Sequence, residues 1–253
     1  MRPMSSKRVV FFGATQGMGR ALARRLAVRG DRLFLLGRRQ EDLEKSANDL
    51  VARAGREDAT AGVALCDLGE PDSFEPALEA AREALGGVDI VVITAGIFET
   101  QDAMEADLAK AKRLLELDFT HTVLFCEIAR KQLLADGGGQ LVVFSSVAGD
   151  RGRKPVAIYG AAKAGLSRYL EALDHKFRGQ GLITLDVKPG FVHTGMTAGL
   201  KAPPFAGQPD QVARDVEAAM ESGKALIYTP LPWRFVMLII RYLPRFLMRR
   251  LGF

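Results

Sequence analysis

A chain of 253 residues, 48% hydrophobic and 26% charged, is long enough to bury a substantial core and too evenly mixed to be disordered or fibrous. Its net charge of +5 resides in residues 233–253, which hold five arginines and no acid; with no other basic block, a nucleic-acid-binding surface is not expected. Two scattered cysteines, Cys66 and Cys126, exclude a disulfide scaffold and read as reduced thiols of a cytoplasmic protein, and no metal site is expected because neither they nor His121, His175 and His193 have ligand spacing.

The first expected element is a strand over residues 7–12, running directly into Gly13-Ala14-Thr15-Gln16-Gly17-Met18-Gly19 and then a helix with apolar positions at Leu22, Leu26 and Ala27. Strand, glycine turn and helix is the setting of a dinucleotide-binding turn. Glycines let the backbone approach a pyrophosphate, and the helix N-terminus stabilises its charge. The spacing is GxxxGxG rather than GxGxxG.

A second strand, residues 32–36, ends in Gly37-Arg38-Arg39. The acid that would bind the adenosine ribose of NAD is missing. Two arginines in its place suit the 2′-phosphate of NADP(H), with Arg38 the favoured ligand and Arg39 its neighbour on the next helical turn. A third strand, 60–65, leads into Cys66-Asp67-Leu68, where Asp67 either accepts a hydrogen bond from the adenine amino group or opens the next helix. A fourth, 88–93, runs into Thr94-Ala95-Gly96, small residues beside which a cofactor can pass.

Further along, Ser146 stands thirteen residues before Tyr159, and Lys163 follows Tyr159 by one helical turn on the same side. A phenol with pKa near ~10 is a poor acid–base catalyst at neutral pH. A neighbouring ammonium favours the phenolate and lowers that pKa, and a serine hydroxyl alongside can hold the oxygen that gains or loses the proton.

Collected, the segments GATQGMG (13–19), CDL (66–68), TAG (94–96), SSVAG (145–149), YGAAK (159–163) and PGFVHTGM (189–196) resemble the short-chain dehydrogenase/reductase family, in order and spacing, over roughly residues 7–230. The resemblance implies an α/β fold, a doubly wound Rossmann-type three-layer sandwich with a mostly parallel sheet of about seven strands, formed by one catalytic domain over residues 1–232. It implies Ser146, Tyr159 and Lys163 as a catalytic trio, with Tyr159 the general acid; spacing selects Ser146 over its rival Ser145. Cofactor contacts are implied for Gly13, Thr15, Gln16, Gly17, Met18, Gly19, Arg38, Arg39, Asp67, Leu68, Ala95, Gly96, Tyr159, Lys163, Pro189, Gly190, Val192 and Thr194. The loop over 190–208 would be a substrate lid, and pairing through helices within 103–134 and 157–178 would give a homodimer or homotetramer.

Three positions depart from the family pattern. Phe12 replaces the usual Thr, Thr94 replaces Asn, and Asp118 stands where a fourth catalytic Asn helps hold a relay water. An aspartate there brings a charge close to Lys163.

Residues 233–253 read as a basic amphipathic helix, kinked or divided at Pro244, with Arg234, Arg241, Arg245 and Arg249 on one face of a continuous helix. Its longest apolar run, Phe235 to Ile240, is too short to span a bilayer. Two placements remain open: on an anionic membrane surface, or packed against protein. The tail and the 189–200 region are similar to decaprenylphosphoryl-2-keto-ribose reductases, which would make the substrate a keto-sugar on a polyprenyl phosphate. The rival readings are a reductase or dehydrogenase for a retinoid, steroid or 3-ketoacyl group, and a catalytically silent NADP-binding scaffold or redox sensor.

Overall fold

The structure, a computed structural model, describes residues 6–251, so residues 1–5 of the expected domain and 252–253 of the expected tail lie outside it. Seven strands, β1 (Arg8–Phe12), β2 (Arg32–Gly37), β3 (Thr60–Leu65), β4 (Ile90–Ile93), β5 (Gly139–Phe144), β6 (Leu182–Pro189) and β7 (Leu226–Thr229), form one sheet in the order β3-β2-β1-β4-β5-β6-β7. Every neighbouring pair is parallel. The helices are α1 (Gly17–Arg29), α2 (Gln40–Ala54), α3 (Phe74–Leu85), α4 (Gln101–Ala106), α5 (Leu108–Leu115), α6 (Thr122–Ala135), α7 (Ala157–Phe177), α8 (Pro209–Glu221), α9 (Pro232–Tyr242) and α10 (Arg245–Arg250).

Successive side chains of a strand face opposite sides of the sheet. Val9 and Phe11 accordingly pack with Leu22 and Leu26 of α1 and Val212 and Val216 of α8. Val10 and Phe12 pack on the other side with Phe74 of α3, Phe125 of α6, and Leu166 and Leu170 of α7. Because helices cover both faces, the strands read as apolar runs rather than alternating patterns. Phe12 belongs to this core: its ring centroid lies 5.0 Å from that of Phe125, which lies 5.3 Å from that of Phe74.

The chain starts in the middle of the sheet, winds outward through β2 and β3, and returns to β4 on the other side of β1. The connections leaving β1 and β4 therefore diverge, opening a crevice at their C-terminal ends.

The helix expected within 103–134 is broken. Thr100 caps α4 by accepting the Ala103 N–H at 3.3 Å, and Asp107 caps α5 by accepting that of Ala109 at 3.0 Å. A π turn over Glu116–His121 then widens the backbone before α6. The tail divides at Pro244, which has no N–H to continue a helix, with Leu243 extended before it. The arginine face drawn for a continuous helix is thus shared between two short ones. Among the described residues, no helix is long and apolar enough to cross a membrane.

Candidate active site

The crevice between β1 and β4 is floored by bare backbone. A Cβ on Gly19 would lie 2.1 Å from the Gly13 carbonyl oxygen, and Gly13 has φ +101. Thr94, at the end of β4, braces this turn by donating its hydroxyl to the Gly13 carbonyl at 2.8 Å. Gln16, at the N-cap of α1, makes no side-chain hydrogen bond to the first turn, so the helix presents uncapped N–H groups to the crevice. This surface fits a pyrophosphate.

Gly13, Thr15, Gln16, Gly17, Met18, Gly19, Arg38, Arg39, Asp67, Leu68, Ala95, Gly96 and Thr194 all line one groove, together with Asp42, Ile97 and Met196, which the sequence reading did not single out. The two arginines differ. Arg39 pairs with Asp42 at 3.1 Å, whereas Arg38 is exposed and makes no ion pair or side-chain hydrogen bond among the described residues. The Asp67 carboxylate accepts the Gly69 N–H at 2.8 Å. Three implied contacts have other surroundings: Pro189 ends β6, Val192 is buried in the core beside α8, and Gly190 lies under the indole of Trp233.

Beyond the groove, the turn carrying Ser146 docks directly on α7. A Cβ on Gly149 would meet the Ala164 nitrogen and Lys163 carbonyl carbon at 2.7 Å, and one on Gly160 would meet the Ala148 carbonyl at 2.8 Å. These two glycines, one in each motif, allow the close approach that sets Ser146 beside Tyr159. Ser146 also accepts the Ala148 N–H at 3.1 Å. Ser145 is buried and donates to Asp186 instead. Asp150, at the far end of the turn, accepts Lys188 of β6 at 2.6 Å and the Tyr228 hydroxyl of β7 at 2.7 Å. The turn is thus fastened to α7 and to two strands.

Lys163 and Asp118 are both buried, with Nζ 3.0 Å from Oδ2. The other carboxylate oxygen accepts the Ile97 N–H at 2.7 Å, which ties the π turn to the end of β4. Burial opposes the ammonium, but Asp118, Tyr159 and Asp186 outweigh it and hold the Lys163 pKa above the ordinary lysine value. Tyr159, which packs edge-on against Phe98 at 5.2 Å, is also raised. Loss of water around the phenol pushes it up; Lys163 pulls it down, Asp118 pushes up again, and Ser146 pulls down. Lys163 thus lowers the phenol as expected, but burial, with Asp118 adding to it, outweighs the lysine and leaves the net shift upward.

The 190–208 segment borders the groove through Thr194, Gly195 and Met196, has little regular structure, and is held by a bridge between Val192 and Gly207. Trp233 of α9 fixes it from outside, donating its indole N–H to the Phe205 carbonyl at 3.0 Å. Trp233, Met237 and Ile240 form a buried cluster with Val147, the residue after Ser146. Arg151 donates to the Leu243 carbonyl at 2.8 Å and Lys154 to that of Arg249 at 2.7 Å. One side of the tail thus packs on its own chain. Its aromatic and small-residue signals, Trp233 and Gly190, were visible in the sequence, but their partnership required the fold.

Among the described residues, no group of His, Cys, Asp and Glu is arranged to hold a metal. Cys66 and Cys126 are buried free thiols, and burial pushes Cys66 up to about 11.

A family model described as short chain dehydrogenase matches residues 7–204. An uncharacterized oxidoreductase of Mycobacterium tuberculosis is 33% identical over 243 residues, 96% of each chain. Carbonyl reductase family member 4 of Xenopus tropicalis is 30% identical over 220 residues, 83% of this chain and 89% of that protein. In structure, a short-chain dehydrogenase/reductase of Mycobacterium ulcerans superposes with a TM-score of 0.80 at 19% identity, covering 88% and 87% of the two chains. A variant actinorhodin polyketide ketoreductase with NADPH superposes with a TM-score of 0.78 at 25% identity, covering 88% and 95%. The seven-stranded parallel sheet, the glycine groove and these likenesses together place this chain in the short-chain dehydrogenase family, as an NAD(P)-dependent dehydrogenase or reductase.

Proposed function

We propose that the protein is an NADP(H)-dependent reductase that converts a carbonyl to an alcohol on a hydrophobic substrate, a polyprenyl-phosphate-linked keto-sugar being the specific candidate. The observation that carries the reading is the approach of Ser146, Tyr159 and Lys163 beside a groove in which Arg38 is free and the nearby Asp42 is already paired with Arg39. The NADPH of the polyketide ketoreductase and the carbonyl reductase relative support the same choice.

A bound NADPH would supply the hydride; Arg38 would hold its 2′-phosphate and the uncapped start of α1 would accept its pyrophosphate. Ser146 donates a hydrogen bond to the substrate oxygen, stabilising the charge that develops there. Tyr159 donates its proton to the same oxygen, and Lys163 stabilises the resulting phenolate. Asp118 balances the lysine charge.

The unit carrying this chemistry is residues 1–232, with 233–253 as an extension of it. Assembly as a homodimer or homotetramer through α5, α6 and α7 is part of the reading, supported by exposed Leu108, Leu115 and Leu124.

The test is NADPH consumption by the purified chain with an activated diketone and then with lipid-linked keto-sugars. Turnover with NADPH that disappears in Tyr159→Phe is expected. Intact NADPH binding with no turnover of any carbonyl would overturn the proposal.

A further inference from the structure

Helix α9 is amphipathic in an unusual sense: its packed side and its opposite side are both apolar. Trp233, Met237 and Ile240 face the domain and are buried. On the other side, Leu231, Phe235, Leu238, Ile239 and Tyr242 recur at helical spacing and are 54–77% exposed. Phe246 of α10 is exposed as well. Single exposed apolar residues are ordinary on a protein surface, but a continuous ridge marks an interaction site. The ridge is not a core face left undocked, because the core-facing side of α9 is already occupied.

We infer that this ridge docks on the surface of an anionic lipid bilayer. No acidic residue follows Glu221, whereas Lys224 and five arginines do. By helical spacing, Arg234 and Arg241 border the ridge, where they meet lipid headgroups as the apolar side chains enter the acyl boundary. At eleven residues α9 lies along such a surface and cannot cross it. Two-fold pairing of the ridge with a second copy would bring these arginines against their own counterparts, with no carboxylate on the tail to offset them.

Docking itself does not depend on the reductase reading; its consequence does. The inner side of α9 touches Val147 and the Phe205 carbonyl, so a docked tail sets the mouth of the substrate site at the bilayer, where a lipid-linked carbonyl is presented.

The test is co-sedimentation of the full chain with vesicles of phosphatidylglycerol and phosphatidylcholine, or of phosphatidylcholine alone, alongside the triple variant Phe235→Ser/Ile239→Ser/Tyr242→Ser. The expected result is salt-sensitive binding to the anionic vesicles only, weakened about tenfold or more in a variant whose circular dichroism is unchanged. Equal binding to both vesicles, or none, overturns the inference. So does a dimer that the triple variant converts to monomer in the absence of vesicle binding, which would make the ridge an interface between copies. Reduction of the diketone and of lipid-linked keto-sugars is read in parallel: vesicle binding with turnover of neither sinks the reductase proposal and leaves the docking surface standing.

Discussion

The Asp118 carboxylate stands 3.0 Å from the Lys163 ammonium with both groups buried, so Lys163 carries its own counter-charge. Asp118 contributes to raising the pKa of Tyr159 as well as that of Lys163. Reduction requires the protonated phenol and is lost as pH rises through its pKa. In Asp118→Asn that contribution disappears, so the alkaline limb of the reduction rate is expected at lower pH, and alcohol oxidation at neutral pH gains relative to reduction. Initial rates against pH in both directions measure this; a limb that does not move would assign Asp118 a packing role only. The variant also leaves a buried ammonium unpaired, with an expected loss of stability of about 3–5 kcal/mol by denaturant titration.

Arg38 is the arginine of the pair that has no partner of its own. Arg38→Ala is expected to weaken NADPH binding about tenfold or more while leaving NADH binding unchanged, since only the 2′-phosphate loses a charge-assisted contact. Arg39→Ala breaks the pair with Asp42 and is expected to change NADPH binding less. Titration of both cofactors against both variants decides it; equal losses would mean that the phosphate is shared.

Trp233 holds the 190–208 segment through one hydrogen bond to Phe205 and fills the space over Gly190. Trp233→Phe keeps most of the packing and removes the donor. The expected outcome is a raised KM with kcat little changed, because the segment bordering the groove is loosened while Ser146, Tyr159 and Lys163 stay in place. A kcat that falls in step with kcat/KM would instead place the effect on the Ser146 turn through Val147.

Phe12 occupies the position at which the family pattern expects Thr. Restoring the usual residue is expected to be harmful here, because it opens a cavity beside Phe125 and buries a hydroxyl. Phe12→Thr should cost about 3–5 kcal/mol, the range for truncating a buried aromatic side chain. Thermal unfolding of the two proteins measures it. A stability within 1 kcal/mol of wild type would mean that the core repacks around the smaller side chain, roughly the bound set by tolerated volume-conserving swaps.

The strands and the glycine turn were legible in the sequence because each is a local pattern: an apolar run ending in Gly13 or Gly37, and a helix begun without a capping side chain. Tyr159 and Lys163 were legible for the same reason, one helical turn apart. What local pattern could not show was contact between distant segments. Gly149 and Gly160 look like ordinary small residues until the serine turn lies on α7, and the resemblance brings Asp118 near Lys163 without giving their burial or the tie from Asp118 to the Ile97 N–H. The net shift of Tyr159 is upward because the phenol is buried, and burial depends on the packing of distant segments rather than on local pattern. The tail's inner side escaped because Trp233 finds its partners, Gly190 and Phe205, some thirty to forty residues upstream.

The Ser146 turn is clamped on its outer side by residues encoded after every strand of the sheet. During synthesis, the glycine groove and its helix can close while Val147, Arg151 and Lys154 still lack the partners that α9 and α10 supply. A chain ending at β7 would keep every strand and the glycine groove but lose the contacts that α9 and α10 make with the Ser146 turn.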